Sequence, residues 1–398
     1  MKYAKMNPGS DVLRTVGQGA ARARRKGDAE SGVAAAAARR TDALADRLPG
    51  VSETTAQAMR EVAAEATSKN TARTYQTAAR YWQAWHRESF GQAPLPFPVT
   101  EALVLQFVTD HLVRTTAAGL TMGLPPDVDR RLVAAGVKGK LGPLSLATVT
   151  QRVAVLSKTH RLAGGPNPYL QPAVQQLLID FQKAYAERDV APRKQAPLTR
   201  EPLLALLATC DASLRGVRDR ALLLFAFSSG GRRRSEVTGA TMEKLTRLPE
   251  GDFVYELRKT KTNQTGAARP DAFKAIAGPA AAAMAAWLAA SGITQGPIFR
   301  RVRKERHVGE PLTPSAVRDI VKKRAAMAGL EEKFSAHSLR SGFITEAGRQ
   351  NAPLLETMAA SGHKSVATVQ GYYHSHAGTK ALIANLLEPG KALASEST

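Results

Sequence analysis

The sequence predicts a mainly α-helical protein with a small antiparallel β-sheet, built as an amino-terminal helical bundle followed by a mixed α/β domain. Three observations carry this prediction. Apolar residues recur at helical spacing from Ser52 to about Arg188. The stretch D-V-A-P-R-K-Q-A-P-L at residues 189–198 has two prolines and no apolar period, which marks an extended linker. Beyond it, Phe253-Val254-Tyr255-Glu256-Leu257 alternates as a strand does, among further helical runs.

Residues 1–51 are rich in Ala, Arg and Gly, with Arg22, Arg24, Arg25 and Lys26 ahead of the alanine run from Ala34 to Ala38. They read as a basic tail, disordered or partly helical when free, of a composition that can lie along phosphates. From Ser52 the pattern is entirely helical. Ser68 precedes a run in which Tyr75, Ala78, Ala79, Trp82 and Trp85 share an apolar face. Thr100 opens the next helix, a Gly/Pro-rich loop covers Gly119 to Pro126, Ser145 opens another helix, and Asn167 starts the last. The polar sides of two of these helices, with Lys69 and Arg73 on one and Thr148, Gln151 and Arg152 on the other, either face a DNA major groove or are ordinary solvated surfaces.

In the second domain, Thr199 is expected as an N-cap ahead of Glu201 and Pro202. The helix Val217 to Phe227 is nearly all apolar in its later turns and runs into Ser228-Ser229-Gly230-Gly231, followed at once by Arg232, Arg233, Arg234, Ser235 and Glu236. Arginines behind a buried helix suit a cation brought to the centre of the domain, with Glu236 three residues beyond Arg233 to hold its guanidinium. Lys259 to Gly266 reads as a turn, with Lys261 in it, before a returning strand near Ala272-Phe273. An alanine-rich helix, Gly278 to Ser291, buries Trp287. Thr313-Pro314 caps a helix whose solvent side carries Ser315, Arg318, Lys322 and Lys323, the best candidates for base reading in this domain.

The densest stretch is Ser335 to His374. His337 and Arg340 stand three apart on a helical pattern, so their side chains leave one face and converge on one anion. A short helix from Pro353 ends at Ser361-Gly362, which places His363 just beyond it, and Tyr372 follows nine residues later. Tyrosine is a poor nucleophile at its free pKa of about 10. Beside Arg and His it makes sense as the attacker of a phosphate whose charge those cations neutralise. Each feature alone also suits plain packing; their order and spacing favour chemistry.

Composition narrows the partner. The 398 residues include 56 basic and 34 acidic ones, a formal charge of +22, and an excess this large points to nucleic acid. The single cysteine, Cys210, sits in an apolar run and fits a reducing cytoplasm. The first ten residues lack an apolar core of the signal type, and apolar windows such as Ala280 to Ala290 are too short to span a bilayer, so neither secretion nor membrane insertion is expected.

With Arg233, Lys261, His337, Arg340, His363 and Tyr372 in this order, the chain from about Thr199 to Glu388 resembles the catalytic domain of the tyrosine recombinases, or phage integrase family. The motifs are G-x-R-x-x-E from Gly231, T-K-T from Thr260, H-x-L-R from His337 and G-H at Gly362, then Tyr372. The likeness is strongest to Cre-like members, in R-K-T-K-T from Arg258 and F-R-R-V-R-K from Phe299. It implies a core-binding bundle at 52–188, a linker at 189–198, a catalytic domain at 199–388 and a tail at 389–398, the two domains forming a C-shaped clamp on DNA. It further implies Tyr372 as nucleophile giving a 3′-phosphotyrosine, Arg233 and Arg340 on the non-bridging oxygens, His337 and His363 as hydrogen-bond and proton-transfer partners, Lys261 as acid on the leaving 5′-oxygen, and Glu236 in support. No metal or other cofactor is implied. The expected partner is double-stranded DNA with an inverted-repeat site, bound by a homotetramer working through a Holliday junction, and the apolar run 379–387 would dock into a neighbouring protomer. Arg232 departs from the resemblance, standing where an apolar residue is common, as does Val369 at a frequent threonine position. A topoisomerase or telomere resolvase with the same cleavage step, or a DNA-binding regulator without it, are the alternatives.

Overall fold

Side-chain hydroxyls set the starts of the amino-terminal helices, each accepting a backbone N–H that the first turn leaves unpaired. Ser52 accepts from Thr55 N ahead of α1 (Glu53–Ala66), Ser68 from Thr71 N ahead of α2 (Lys69–Ser89), Thr100 from Leu103 N ahead of α3 (Glu101–His111), and Ser145 from Thr148 N. The computed structural model describes residues 52–91, 93–189, 195–257, 270–303, 307–330 and 334–373. The basic tail, residues 190–194 of the linker, the turn carrying Lys261, and the expected docking helix at 379–387 lie outside the described residues. The chain divides into two compact units, Met1–Pro192 and Arg193–Thr398.

The first unit departs from the all-helical expectation between α3 and α4 (Pro126–Ala134). Val113–Thr116 and Gly119–Met122 form an antiparallel hairpin, β1 and β2, whose second strand falls in the expected Gly119–Pro126 loop. Four-residue strands are too short to show a period, and β-branched Val113, Thr115, Thr116 and Thr121 favour the extended chain. Helices α5 (Leu146–Ala163) and α6 (Pro172–Glu187) complete the bundle. Asn167 caps a 3-10 turn, Pro168–Leu170, and α6 begins only after it. Trp82 and Trp85 are core, as their spacing predicts: Trp82 stacks on Phe107 at 3.7 Å between ring centroids, and Trp85 Nε1 donates to Asp110 Oδ2 at 2.9 Å. Ala79, placed on the same face by the sequence reading, is exposed.

One candidate base reader is corrected here. Arg152 is only 8 % exposed, and its guanidinium lies 3.3 Å from the centroid of the Tyr81 ring. A cation on a buried aromatic face is a packing element, so Arg152 does not face DNA. A helical side spans several residues, and Arg152 falls at its inward edge beside Val149 and Val153. Gln151 and Arg73 are exposed, Thr148 is half-buried with its hydroxyl 2.8 Å from Ser145 Oγ, and Lys69 is the first residue of α2.

The second unit opens with α7 (Arg200–Ala208). Thr199 stands at its N-cap but makes no side-chain cap bond; Arg200 N donates instead to Glu346 Oε2, 3.2 Å away. Helix α8 (Leu214–Ser228) packs on α10 (Pro279–Ser291), whose small Ala280, Ala281 and Ala283 permit close approach beside Met284 and Trp287. The rings of Phe225, Tyr255, Phe299 and Trp287 are almost fully buried in this core. Each stabilises the fold by roughly 1.5–3 kcal/mol through water exclusion. Between them lie α9 (Arg234–Thr238) and a three-stranded antiparallel sheet in the order β3 (Leu245–Arg247), β4 (Phe253–Glu256), β5 (Phe273–Ile276), with Tyr255 opposite Lys274. A second pair, β6 (Arg300–Val302) and β7 (Val308–Pro311), precedes α11 (Pro314–Met327). On α11, Ser315, Arg318 and Lys322 are exposed and Val317, Ile320 and Val321 are buried, the division their spacing predicts. Arg318 is paired with Asp319 at 2.9 Å. The chain continues through α12 (Ala336–Arg349), α13 (Leu354–Ser361) and α14 (Val366–Tyr373). Among the described residues no helix is long and apolar enough to cross a membrane.

Candidate active site

The site is assembled where α8 breaks. Gly230 (φ +102°) and Gly231 (φ +70°) adopt a backbone that side chains disfavour. They also admit close neighbours: a Cβ on Gly231 would lie 2.8 Å from Arg340 Cα, and one on Gly230 would lie 2.1 Å from Ala360 O. The two glycines thus let the loop touch both α12 and the end of α13. Arg340 Nη1 donates to Gly231 O at 3.0 Å, which ties the α12 guanidinium to this loop.

Arg233, at the N-cap of α9, donates through Nη1 to Glu236 Oε1 at 2.7 Å, while its backbone N donates to Glu236 Oε2 at 3.0 Å. Both carboxylate oxygens therefore fix the Arg233 residue. Burial alone would raise the Glu236 pKa, but Arg232 and then the hydrogen bonds from Arg233 outweigh it and hold the group below the ordinary carboxylate range. Neighbouring Arg232 is buried and directs Nη1 to within 3.7 Å of Glu236 Oε2.

Helix α12 starts with a reciprocal cap: Ser335 Oγ accepts from His337 N, and Ser335 N donates to Ser338 Oγ. One turn in, Arg340 is 2 % exposed. Burial, then Arg233 and Arg232, push its pKa down to about 10, so it stays charged at neutral pH. Arg340 Nη2 lies 3.2 Å from His363 Nδ1 and 3.3 Å from Nε2, and Ser361 Oγ lies 2.8 Å from the same Nδ1. Burial and the cations Arg340 and Arg233 lower the His363 pKa to about 4. His337, exposed at one edge, is shifted the same way by desolvation, Arg340 and Arg233. Tyr372 is half-buried on α14, close enough that ionised phenol oxygen would favour the cationic form of Arg340.

Arg233, Glu236, His337, Arg340, His363 and Tyr372 are thus neighbours, while Lys261 lies outside the described residues. Three further residues join them that the sequence reading did not place there: Arg232, Ser361 and Lys274. Lys274 is 6 % exposed and donates through Nζ to Ala359 O at 2.8 Å. The signal for it was in strand β5, where Phe273 is exposed and Lys274 shares the buried face with Ile276. No group of three or more His, Cys, Asp or Glu that could hold a metal ion occurs among the described residues.

The His363 ring gives a pH prediction. Its folded pKa, about 4, lies below the ordinary histidine value of 6.5, so the unfolded chain binds more protons than the folded one. Folding stability from this group is therefore complete above pH 6.5 and is lost as pH falls towards 4. His363→Gln is expected to flatten that part of the stability profile, measured by urea melts at pH 7 and pH 5; an identical profile in the variant would refute it.

Fold and site together define a cluster of cations with a phenol beside it. The chain matches the model of the phage integrase family over residues 197–378, which with its relatives supports a tyrosine-type site-specific recombinase. It is similar to tyrosine recombinase XerC of Pelotomaculum thermopropionicum, 26% identical over 63% of this chain and 78% of that protein. It is also similar to tyrosine recombinase XerC 2 of Ralstonia nicotianae, 27% identical over 45% of this chain and 49% of the relative. In fold it resembles the XerH site-specific recombinase bound to palindromic difH substrate in a post-cleavage complex, with a TM-score of 0.52 and 17% identity over 85% of this chain and 86% of that one.

Proposed function

We propose that the chain cuts and rejoins duplex DNA at a specific inverted-repeat site through a 3′-phosphotyrosine on Tyr372. The observation that carries this reading is the convergence of Arg232, Arg233, Lys274 and Arg340 about Glu236, which pairs with Arg232 and Arg233, with Asp271 near Lys274 and Tyr372 near Arg340. So many cations in a partly buried site call for an anion. A phosphodiester under attack suits them because its non-bridging oxygens gain charge at the transition state. The phenol oxygen of Tyr372 forms a bond to phosphorus as the bond to the 5′-oxygen breaks; the phenol proton leaves to base and the 5′-oxygen takes a proton from Lys261. Arg233 and Arg340 bind the non-bridging oxygens, the neutral rings of His337 and His363 hydrogen-bond and relay protons, and Glu236 holds Arg233. The phosphotyrosine conserves the energy of the broken bond, so rejoining needs neither nucleotide nor metal.

Lys69, Arg73, Thr148 and Gln151 on the first unit, and Ser315, Arg318 and Lys322 on the second, contact DNA in this proposal. Recombination proceeds in a homotetramer on two sites, through a Holliday junction, with the segment 379–387 of each protomer docked on its neighbour, in the cytoplasm. The test uses a duplex recovered from bound genomic fragments and nicked beside the cleavage position, so that the short 5′-hydroxyl product diffuses away. A denaturant-resistant protein–DNA adduct is expected. Tight binding with no adduct would reduce the chain to a DNA-binding protein.

A further inference from the structure

The last turn of helix α13 meets two buried cations. The amides of Gly362 and His363 both turn back to Met358 O, at 2.7 and 3.2 Å, in a left-handed cap at Gly362. That leaves the last carbonyls, those of Ala359 and Ala360, at the negative end of the helix dipole. Lys274 Nζ takes Ala359 O at 2.8 Å, and Arg232 Nη2 takes Ala360 O at 2.5 Å and Gly230 O at 2.9 Å. Arg232 is 2 % exposed, and its Nε, fully buried, finds no hydrogen-bond partner. Its geometry is therefore set by the carbonyls it reaches and by Glu236, at a cost to its own hydrogen bonding. Three residues past Ala360, the His363 ring lies against Arg340.

Resting on the recombinase reading above, we propose that Arg232 and Lys274 are positioning residues, which clamp the end of α13 so that His363 is held against Arg340 in the orientation cleavage requires. Lys274 spends its ammonium on Ala359 O, which separates its part from that of a proton donor to the leaving group. Burial first, then Arg232, lowers its pKa to about 8, the cost of holding an ammonium there. An apolar residue at 232 cannot make this clamp. Misplacing a reacting group by about 1 Å costs on the order of 100-fold in rate, which sets the scale of the expected loss.

The test compares wild type with Arg232→Leu, Arg232→Lys and Lys274→Met. The first readout is the NMR titration of His363, identified by its loss in His363→Gln. The charged groups facing the ring are Arg340 and His337 from α12 and Arg233 and Arg232 from the loop before α9. In Arg232→Leu and Lys274→Met the ring is expected to titrate closer to 6.5, and in Arg232→Lys to stay near the wild-type value. The second readout is the rate of adduct formation on the nicked duplex with either oxygen or sulfur at the scissile 5′ position. Sulfur leaves without a proton, so it rescues loss of a leaving-group acid and leaves a mispositioned His363 unrescued. A fall of about 10- to 100-fold on both substrates is expected. An unshifted His363 titration in Lys274→Met, whose charge does not itself act on the ring, overturns the proposal, as do rates within twofold of wild type, and so does rescue of Lys274→Met by sulfur, which would make Lys274 the acid. Should Arg232→Leu fail to fold, Lys274→Met carries both readouts. The titration needs no DNA, so it decides the clamp even if wild type forms no adduct, the result that would sink the recombinase chemistry instead.

Discussion

Replacing Tyr372 with phenylalanine is expected to abolish the covalent protein–DNA adduct while leaving DNA binding and folding nearly as they are. The substitution removes one oxygen and keeps the ring, so α14 retains its packing, including fully buried Val369. Loss of a nucleophile returns a reaction of this kind to background, a fall of about 10⁴-fold or more. Melting should move little, since a half-exposed hydroxyl contributes roughly 1 kcal/mol at most. The neighbour, Tyr373, supplies the control. Tyr373→Phe should form adduct at the wild-type rate, and the reverse pattern, adduct in Tyr372→Phe and none in Tyr373→Phe, would show that α14 presents the other phenol. The choice of Tyr372 follows from charge as well as spacing, because its oxygen acts on Arg340, the guanidinium held by Gly231 O and set against His363.

The helices and the site were legible in the sequence to different depths. Periods and caps located the long helices, since hydroxyls at Ser68, Thr100, Ser145 and Thr313 cap from fixed offsets that a linear sequence displays. The hairpin Val113–Met122 was missed because strands this short carry too few residues for a period. Arg152 was misplaced because a polar letter on a helix does not say which side of the stripe boundary it occupies, and Tyr81 draws it in. The catalytic candidates could be picked out by their type and order along the chain. The clamp on α13 could not: it joins Arg232, Lys274 and Ala359-Ala360 across 85 residues or more of sequence, through backbone carbonyls that every residue possesses. Contacts to backbone leave no mark in residue identity, so nothing in the sequence draws Lys274 into the site, and Arg232 shows only as a departure at a commonly apolar position.

The second large effect is expected on stability, at Asp219. This carboxylate is 3 % exposed and holds two buried guanidiniums: Oδ1 accepts from Arg218 Nε at 2.9 Å, and Oδ2 accepts from Arg324 Nε and Nη2 at 3.0 and 2.7 Å. Arg324 also donates to Thr209 O at 2.6 Å, so one acidic group joins α8, α11 and the end of α7. Asp219→Ala leaves both cations buried without their contacting carboxylate, and breaking a buried pair in this way costs about 3–5 kcal/mol. For a unit of this size that lowers Tm by about 6–20 °C. Asp219→Asn keeps the shape and one acceptor and should fall between alanine and wild type; calorimetry of the three proteins orders them. A cost under about 1 kcal/mol for alanine would mean that water replaces the carboxylate and that the pair is not sealed. The loss should also separate from chemistry. Gly230 and Gly231 hang from the far end of α8, so below its lowered Tm the alanine variant should form adduct at close to the wild-type rate, whereas a slow rate in the folded variant would extend the site's support to the start of that helix.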